Sequence, residues 1–491
     1  MHKLLVVLVA FATACVGSPA YRAPEVSVEP SYSAPSAVRT GVMVSDTCVA
    51  PGAEKSRLPA SRTVHFTQSA AATPFWRDLG DSALTQLVEE ALRANSDVRV
   101  AEARLTSTRA ARRLALLDLA PVVTASGSAT RQQLSVAQVP GLSRQLPGQE
   151  LWDVGFDASW ELDIFGRLGS RARAQSALVE SAEYGLDDVQ VSLAAEVART
   201  YFELRGAERQ LTVAQRNAEN QRRTVQITEE RLAAGRGTAF DMERARSVLY
   251  LTLAAMPSLE AQIAQHRQRL AVLLGRAPQA LPKAVLDTGV LPRLPDTLRV
   301  GSPEQVVRRR PDVLRAERQL AAQGLLVSSA RADYLPRLTL GARLGYAATT
   351  FDSLSRTGTS RLLIGPVLSW PLFDVGRVRE RVDIARAGEQ EAEATHRGAV
   401  LRALEESETS LVAYDRAHAR LAILEQAVRS SARAAALAQQ RFEAGLTDFL
   451  QVLDAQRTLL DAENQLALGH TAAATALVAV YKAVGGTWPL K

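Results

Sequence analysis

Two hydrophobic rhythms share this chain. The first is strict alternation. Val123, Ala125, Gly127 and Ala129 interleave with Thr124, Ser126, Ser128 and Thr130, and Val154, Phe156, Ala158, Trp160 and Leu162 interleave with Asp153, Gly155, Asp157, Ser159 and Glu161. Leu338, Leu340, Ala342, Leu344 and Tyr346 repeat the pattern, and Leu362, Ile364, Pro366, Leu368 and Trp370 share one face of a fourth run. Period two predicts strands, each with one apolar and one polar side. About ten residues apiece is the length of a tilted transmembrane strand. A soluble antiparallel sheet packed on one face is the competing reading. Long loops within each pair of strands and tight turns after it favour the barrel. Four strands cannot close, and an open edge in lipid leaves backbone groups unpaired at several kcal/mol each. Closure therefore needs several copies; two would give eight strands and three would give twelve.

The second rhythm is seven residues long. Val197, Leu204, Leu211, Ala218, Val225 and Leu232 keep it in one half, and Tyr414, Leu421, Val428, Ala435 and Phe442 keep it in the other. Such a stripe predicts helices supercoiled on their neighbours. A continuous helix from Arg167 to Ala234 would run to about 100 Å. The stripe is narrow and rich in Ala, which suits packing side by side in a cylinder better than a solid bundle.

The halves are copies of each other. Trp160-Glu-Leu-Asp-Ile-Phe-Gly166-Arg167 returns as Trp370-Pro-Leu-Phe-Asp-Val-Gly376-Arg377, and Arg231-Leu-Ala-Ala-Gly235 returns as Arg441-Phe-Glu-Ala-Gly445. Asp97-Val98 returns as Asp312-Val313, and Leu274-Gly275 as Val484-Gly485. Each half reads helix, strand, loop, strand, long helix, turn, helix, so the expected class is an α+β membrane protein built by duplication. Gly166 and Gly376 are expected in the strand-to-helix turns. Proline-rich stretches at 16–75 and 276–311 are expected to be extended or linking. Pro311-Asp312 reads as a helix start, and Arg308 to Arg310 before it as solvated surface.

Composition narrows the chemistry. The chain has 491 residues and a formal net charge of +6, with acids and bases interleaved. No block of like charge suggests nucleic acid as a partner. Cys15 and Cys48 exclude a disulfide scaffold, and the scattered histidines have no zinc spacing. No nucleophile motif or phosphate loop is present, so an enzyme is not expected and no cofactor is called for. No apolar run beyond residue 15 is long enough for a membrane-spanning helix. Residues 1–14 read as a secretory signal, and Thr13-Ala14-Cys15 resembles a bacterial lipobox with Cys15 as the acylated residue. Val16, rather than Asp, follows it, which in lipoproteins implies the outer membrane. Cys48 reads as an unpaired thiol.

These features, together with Arg310-Pro-Asp-Val, Val452-Leu-Asp-Ala-Gln456 and the closing Ala483-Val-Gly-Gly-Thr-Trp488, resemble the TolC-like outer-membrane efflux family, in its OprM/NodT lipoprotein branch. The resemblance implies a homotrimer whose twelve-stranded barrel continues into a periplasmic α-helical barrel, the exit duct of a tripartite pump. Its implied partners are outer-membrane lipid, a periplasmic adaptor and an inner-membrane transporter of the RND type. The implied organisation is signal 1–14, lipid-anchored segment 15–75, first repeat 76–275, linker 276–311, second repeat 312–486 and tail 487–491. The family's gate maps onto Asp454 and Arg457, with Asp448 beside them and Arg244 available as a latch to Asp454. Adaptor-contact tips map onto Gly235, Thr238, Gly445 and Thr447. Trp160 and Trp370 are expected at the membrane interface or the junction beneath it. The alternative is a periplasmic coiled-coil adaptor or structural lipoprotein, which would keep the lipid and the helices but has no use for the strands.

Overall fold

The structure, a computed structural model, describes residues 31–32, 64–67, 75–133, 147–286, 291–292, 294–295 and 297–486. The signal 1–14, Cys15, Cys48 and the tail 487–491 lie outside the described residues. The described chain forms two compact units, one from Ala103–Glu183 with Arg315–Arg397, the other from Tyr184–Leu314, Gly398 onward and the described part of 26–102. Each unit therefore takes a piece from both copies of the repeat.

The first unit holds a four-stranded antiparallel sheet. Strands β2 (Val122–Gln132), β3 (Gln149–Leu162), β5 (Arg337–Ala348) and β6 (Ser360–Ser369) pair in that order. The alternation read from the sequence sets the register. Ala125, Phe156, Leu344 and Leu362 fall in one cross-strand row, and Thr124, Asp157, Arg343 and Leu363 in the next row on the opposite face. Among the described residues the β2 and β6 edges are unpaired.

Helices α3 (Ser96–Leu117) and α8 (Pro311–Ala332) lead into the two strand pairs. Helices α4 (Arg167–Ala233) and α9 (Val375–Glu443) leave them, with 67 and 69 residues, and α5 (Ala239–Leu273) and α10 (Phe449–Ala483) return. Pro257 sits inside α5 without ending it. The seven-residue stripes are buried or half-buried, as expected. α10 is long and apolar enough to cross a membrane, yet half of that apolar window is buried inside the protein. It is a core helix, not a span.

Gly166 has a φ of +73°, which suits a strand-to-helix turn, and Asp163 accepts from the backbone N–H groups of Leu168 and Gly169 at 3.0 and 2.6 Å. Gly376 departs from the expectation. It lies in the first turn of α9: the backbone carbonyl of Asp374 accepts the first helical bond, from the Val378 N–H, and the helix begins two residues earlier than α4 does.

The core of the second unit gathers short elements around the long helices. Helices α1 (Phe75–Asp78) and α2 (Ser82–Ala94) bury Phe75, Trp76, Leu84 and Leu87 against Tyr201, Phe202, Leu270 and Tyr481. Phe75 stacks on Tyr481 with ring centroids 4.9 Å apart. The linker does more than join the halves. It supplies α6 (Lys283–Leu286), β4 (Thr297–Arg299) and α7 (Pro303–Val307), and β4 pairs in parallel with β1 (His65–Thr67).

Arg310 corrects the reading of the Arg308–Arg310 run. Arg308 is exposed, but Arg310 is only 7% exposed. Its guanidinium donates to both carboxylate oxygens of Asp312 at 2.9 and 2.8 Å, to Glu406 at 2.7 Å and to the Ala483 carbonyl at 3.0 Å. The duplication kept this joint in simpler form: Asn95 donates to the Leu273 carbonyl at 2.9 Å. In both copies, the residue before the Asp-Val helix caps the last turn of the returning helix, where carbonyls lack intrahelical partners.

Burial alone would raise the Asp312 pKa, but the Arg310 hydrogen bonds and charge outweigh it and hold the carboxyl below its ordinary 3.8. A depressed carboxyl stabilises the fold fully above the unfolded value, and the contribution is lost as pH falls through the folded one. Thermal unfolding should therefore show Asp312→Asn less stable than the parent at neutral pH. The difference should shrink toward zero as pH drops below 3.8; a difference that does not change with pH would contradict it.

Candidate functional site: sheet faces, hairpin turns and gate residues

The sheet largely separates its side chains by polarity, with Val122, Leu363 and Val367 the apolar residues on the polar face. Phe156, Leu344 and Leu362 on one face are 58%, 57% and 69% exposed, and Ile364 and Leu368 beside them are equally open. A patch of large apolar side chains this continuous needs a non-aqueous partner. Aromatic residues mark both ends. Trp152 packs on Phe351 at 5.3 Å, and Trp160 stands eight positions further along β3. At about 3.3 Å per residue, the span between them is about 26 Å, close to the apolar band of outer-membrane barrels. Trp160 donates its indole N–H to the Leu119 carbonyl at 2.9 Å, and Trp370 donates to the Tyr334 carbonyl at 3.0 Å. Both rings are thus exposed at the end of the apolar face and tied by their polar edge to the strand–helix junction.

The two hairpin turns share one construction. At Gly235 the N–H donates to the Leu232 carbonyl and the next N–H, of Arg236, to the Arg231 carbonyl; Gly445 and Leu446 do the same with Phe442 and Arg441. This is the Schellman closure, and it needs the left-handed backbone that glycine supplies. The φ angles are +67° and +74°, with open space around both residues. Thr238 then caps α5, its Oγ1 accepting from the Asp241 N–H at 3.2 Å. The matching position in the second copy is Asp448, whose Oδ1 accepts from the Gln451 N–H at 3.2 Å. Thr447 therefore corresponds to Gly237 rather than to Thr238.

Behind these turns the hairpins meet in a small core of Ala245, Phe442, Phe449, Val452 and Leu453. Phe442 and Phe449 lie 5.3 Å apart, and the Arg231 guanidinium sits 4.0 Å from the Phe442 centroid. Asp454 and Arg457 follow directly on α10 and are both exposed. Among the described residues neither side chain has an ion pair within the chain. Arg244 is exposed as well and lies 5.9 Å from the Phe240 ring, not against Asp454.

Sequence reading missed a polar seam above the turns. Asn217, Gln221, Thr224 and Thr228 on α4 are all under 9% exposed, at spacings that keep them on one helical side. Asn217 donates to Glu463 on α10 at 3.1 Å, and Gln456 donates to Thr224 at 3.3 Å. Arg216 also pairs with Glu463, at 2.6 Å. Four polar residues at spacings of four, three and four were the available signal; the heptad stripe of Ala218 and Val225 alongside masked it.

A cavity of about 430 Å³ lies nearby, lined by Arg205, Glu208, Arg209, Arg216 and Glu463. Its acids are already engaged, Glu208 by Arg205 and Arg267 and Glu463 by Arg216. Among the described residues no group of His, Cys, Asp and Glu could hold a metal ion.

Comparison with known proteins bears on all of this. A family model described as outer membrane efflux protein matches residues 87–276 and 302–486. The pyoverdine export outer membrane protein OpmQ of Pseudomonas putida is 31% identical over 434 residues, covering 87% of this chain and 91% of that protein. The toluene efflux pump outer membrane protein TtgI of Pseudomonas putida is 30% identical over 410 residues, covering 83% and 86%. The solved structure of the outer-membrane channel OprN superposes with a TM-score of 0.85 at 35% identity, covering 96% of this chain and 99% of that one.

Proposed function

This chain belongs to the outer membrane efflux protein family, and from that premise we propose that three copies form the exit duct of a tripartite pump. It is an outer-membrane channel for efflux and not an enzyme, so the adaptor or structural-lipoprotein alternative falls. The observation that carries the fuller reading is the sheet: one face apolar and exposed, the other largely polar with Leu363, Val367 and Val122 toward its outer strands, and both edges open among the described residues. Lipid covers the first face, water fills the space behind the second, and neighbouring copies satisfy the edges. Three copies of four strands make a twelve-stranded barrel, with α4, α5, α9 and α10 as its periplasmic tunnel.

In this proposal the duct closes at its periplasmic end. Asp454 from each copy forms an acidic ring, Arg457 stands one helical turn on, and Asp448 keeps its capping bond while adding negative charge nearby. Rings of carboxylates bind cations and resist anions. Arg244 latches to Asp454 of a neighbouring copy, since the two do not pair within one chain. The polar seam of Asn217, Gln221 and Thr224 suits a helix pair that must part, because separated polar groups recover hydrogen bonds from water. The turns at Gly235, Thr238, Gly445 and Thr447 meet a periplasmic adaptor, which joins the duct to an inner-membrane transporter of the RND type. Relatives named for pyoverdine and for toluene fit a duct that leaves cargo choice to that transporter.

Purified protein in planar bilayers tests this reading. The parent should conduct poorly at rest, and Asp454→Ala or Arg457→Ala should raise resting conductance by about tenfold, as expected when a charged constriction is removed. Unchanged conductance in both variants would remove the gate. The anchor rests on Cys15: labelled palmitate should enter the parent and not Cys15→Ser, and equal labelling would exclude it.

A further inference from the structure

The polar face of the sheet carries a cluster that neither the gate nor the turns use. Register places Ser126, Gly155, Gly345 and Arg361 in one cross-strand row, so the two central strands bring no side chain to it. Arg361 on β6 reaches past β5 and donates to Asp153 on β3. A Cβ on Gly155 or Gly345 would collide with the carbonyl oxygen of Leu344 or Val154 respectively. In the adjacent row, Arg343 Nε lies 3.3 Å from Asp157 Oδ1, and Ser126 donates to Asp157 Oδ2 at 2.6 Å. Among the described residues, Arg361 Nε and Asp157 Oδ1 are buried atoms without a hydrogen bond, Asp157 Oδ1 having only the ion-pair contact to Arg343. Two guanidiniums and two carboxylates thus meet around paired glycines, and their formal charges cancel. Toward the helices the same face carries Glu161 and Arg337, which are held by Arg167 and Asp333.

We propose that Asp153, Asp157, Arg343 and Arg361 are the selectivity determinants of the outer-membrane segment, lining its lumen as a charge-balanced girdle. This inference rests on the barrel reading above. Each copy supplies both signs at one level, so the girdle favours neither cations nor anions. It sets a transverse field that suits zwitterionic solutes and passes small solutes of either charge. Charge on the lumen side of a barrel tunes selectivity without the penalty it carries on the lipid side. The glycines permit the close backbone approach of β3 and β5 in the row that Arg361 shares.

Reversal potentials in a salt gradient test it. The parent's reversal potential is the baseline, displaced toward cations by the Asp454 ring and not by the girdle. Arg343→Gln with Arg361→Gln should shift the cation-to-anion permeability ratio upward by about fivefold, and Asp153→Asn with Asp157→Asn should shift it downward by a similar factor. Asp454 is present in all three proteins, so the gate contributes equally to each. Conducting double variants that keep the parent reversal potential would overturn the girdle alone. Failure to conduct in the parent and in Asp454→Ala alike would remove the barrel and the girdle with it. If the double variants do not assemble, Ser126→Cys in a Cys48→Ser background keeps the question open to measurement. Cationic and anionic methanethiosulfonates should then modify the assembled channel at rates within about threefold of each other. Strong preference for one sign, or no reaction in a conducting channel, would contradict the proposal.

Discussion

Leu344→Arg should abolish stable insertion in the outer membrane. Leu344 lies in the middle row of the apolar face, flanked by Phe156 and Leu362, and is 57% exposed. An arginine at the lipid-facing midplane of a barrel costs about 2–4 kcal/mol, and the proposed trimer would bear that cost three times over. The variant should be lost from the membrane fraction and give no heat-resistant trimer on unboiled gels. Ser128→Arg is the control. Ser128 stands on the opposite face, paired with Asp153, where an added charge meets water and a carboxylate. It should insert normally. Equal tolerance of both arginines would mean that the apolar face does not meet lipid.

Arg310→Ala should be the most damaging single change in the second unit. Truncation removes the donor to two carboxylates and to the end of α10 at once, and leaves Asp312 facing a site that burial already disfavours for a charge. Breaking a buried pair by removing one partner costs about 3–5 kcal/mol. Arg310→Lys should recover little, because an ammonium cannot match the forked geometry that holds both oxygens of Asp312. The same truncation in the other copy, Asn95→Ala, removes two neutral hydrogen bonds, to the Leu273 carbonyl and from the Asp97 N–H, and should cost only about 1–3 kcal/mol. Thermal unfolding of the two variants side by side reads this asymmetry; similar losses would contradict the joint as described.

The strands were legible because alternation is a local property. Each of the four runs announces its own faces, and the register then follows from keeping apolar positions together. The seven-residue stripes foretold α4 and α9 for the same reason. What stayed hidden depended on partners distant in the chain. Arg310 looks like a member of a solvated basic run until α9 and α10 are brought to it. The strand β1 is three residues long and exists only because β4 lies beside it. Gly376 copies Gly166 in sequence but not in role, since α9 begins two residues earlier than α4 and takes the glycine into its first turn. The Arg361–Asp153 contact spans 208 positions and passes over a strand, so no motif could have shown it. Asp454 and Arg457 were reached through family resemblance alone, and among the described residues of one copy their side chains have no ion pair.

The central claim is that the open edges of β2 and β6 meet between copies. Cysteines stepped along β2 and β6, in a Cys48→Ser background, test it by disulfide crosslinking in intact outer membranes. The account predicts crosslinks between copies at a fixed register, giving a ladder that ends at three chains. Crosslinks confined within one chain, or none at any register, would contradict it.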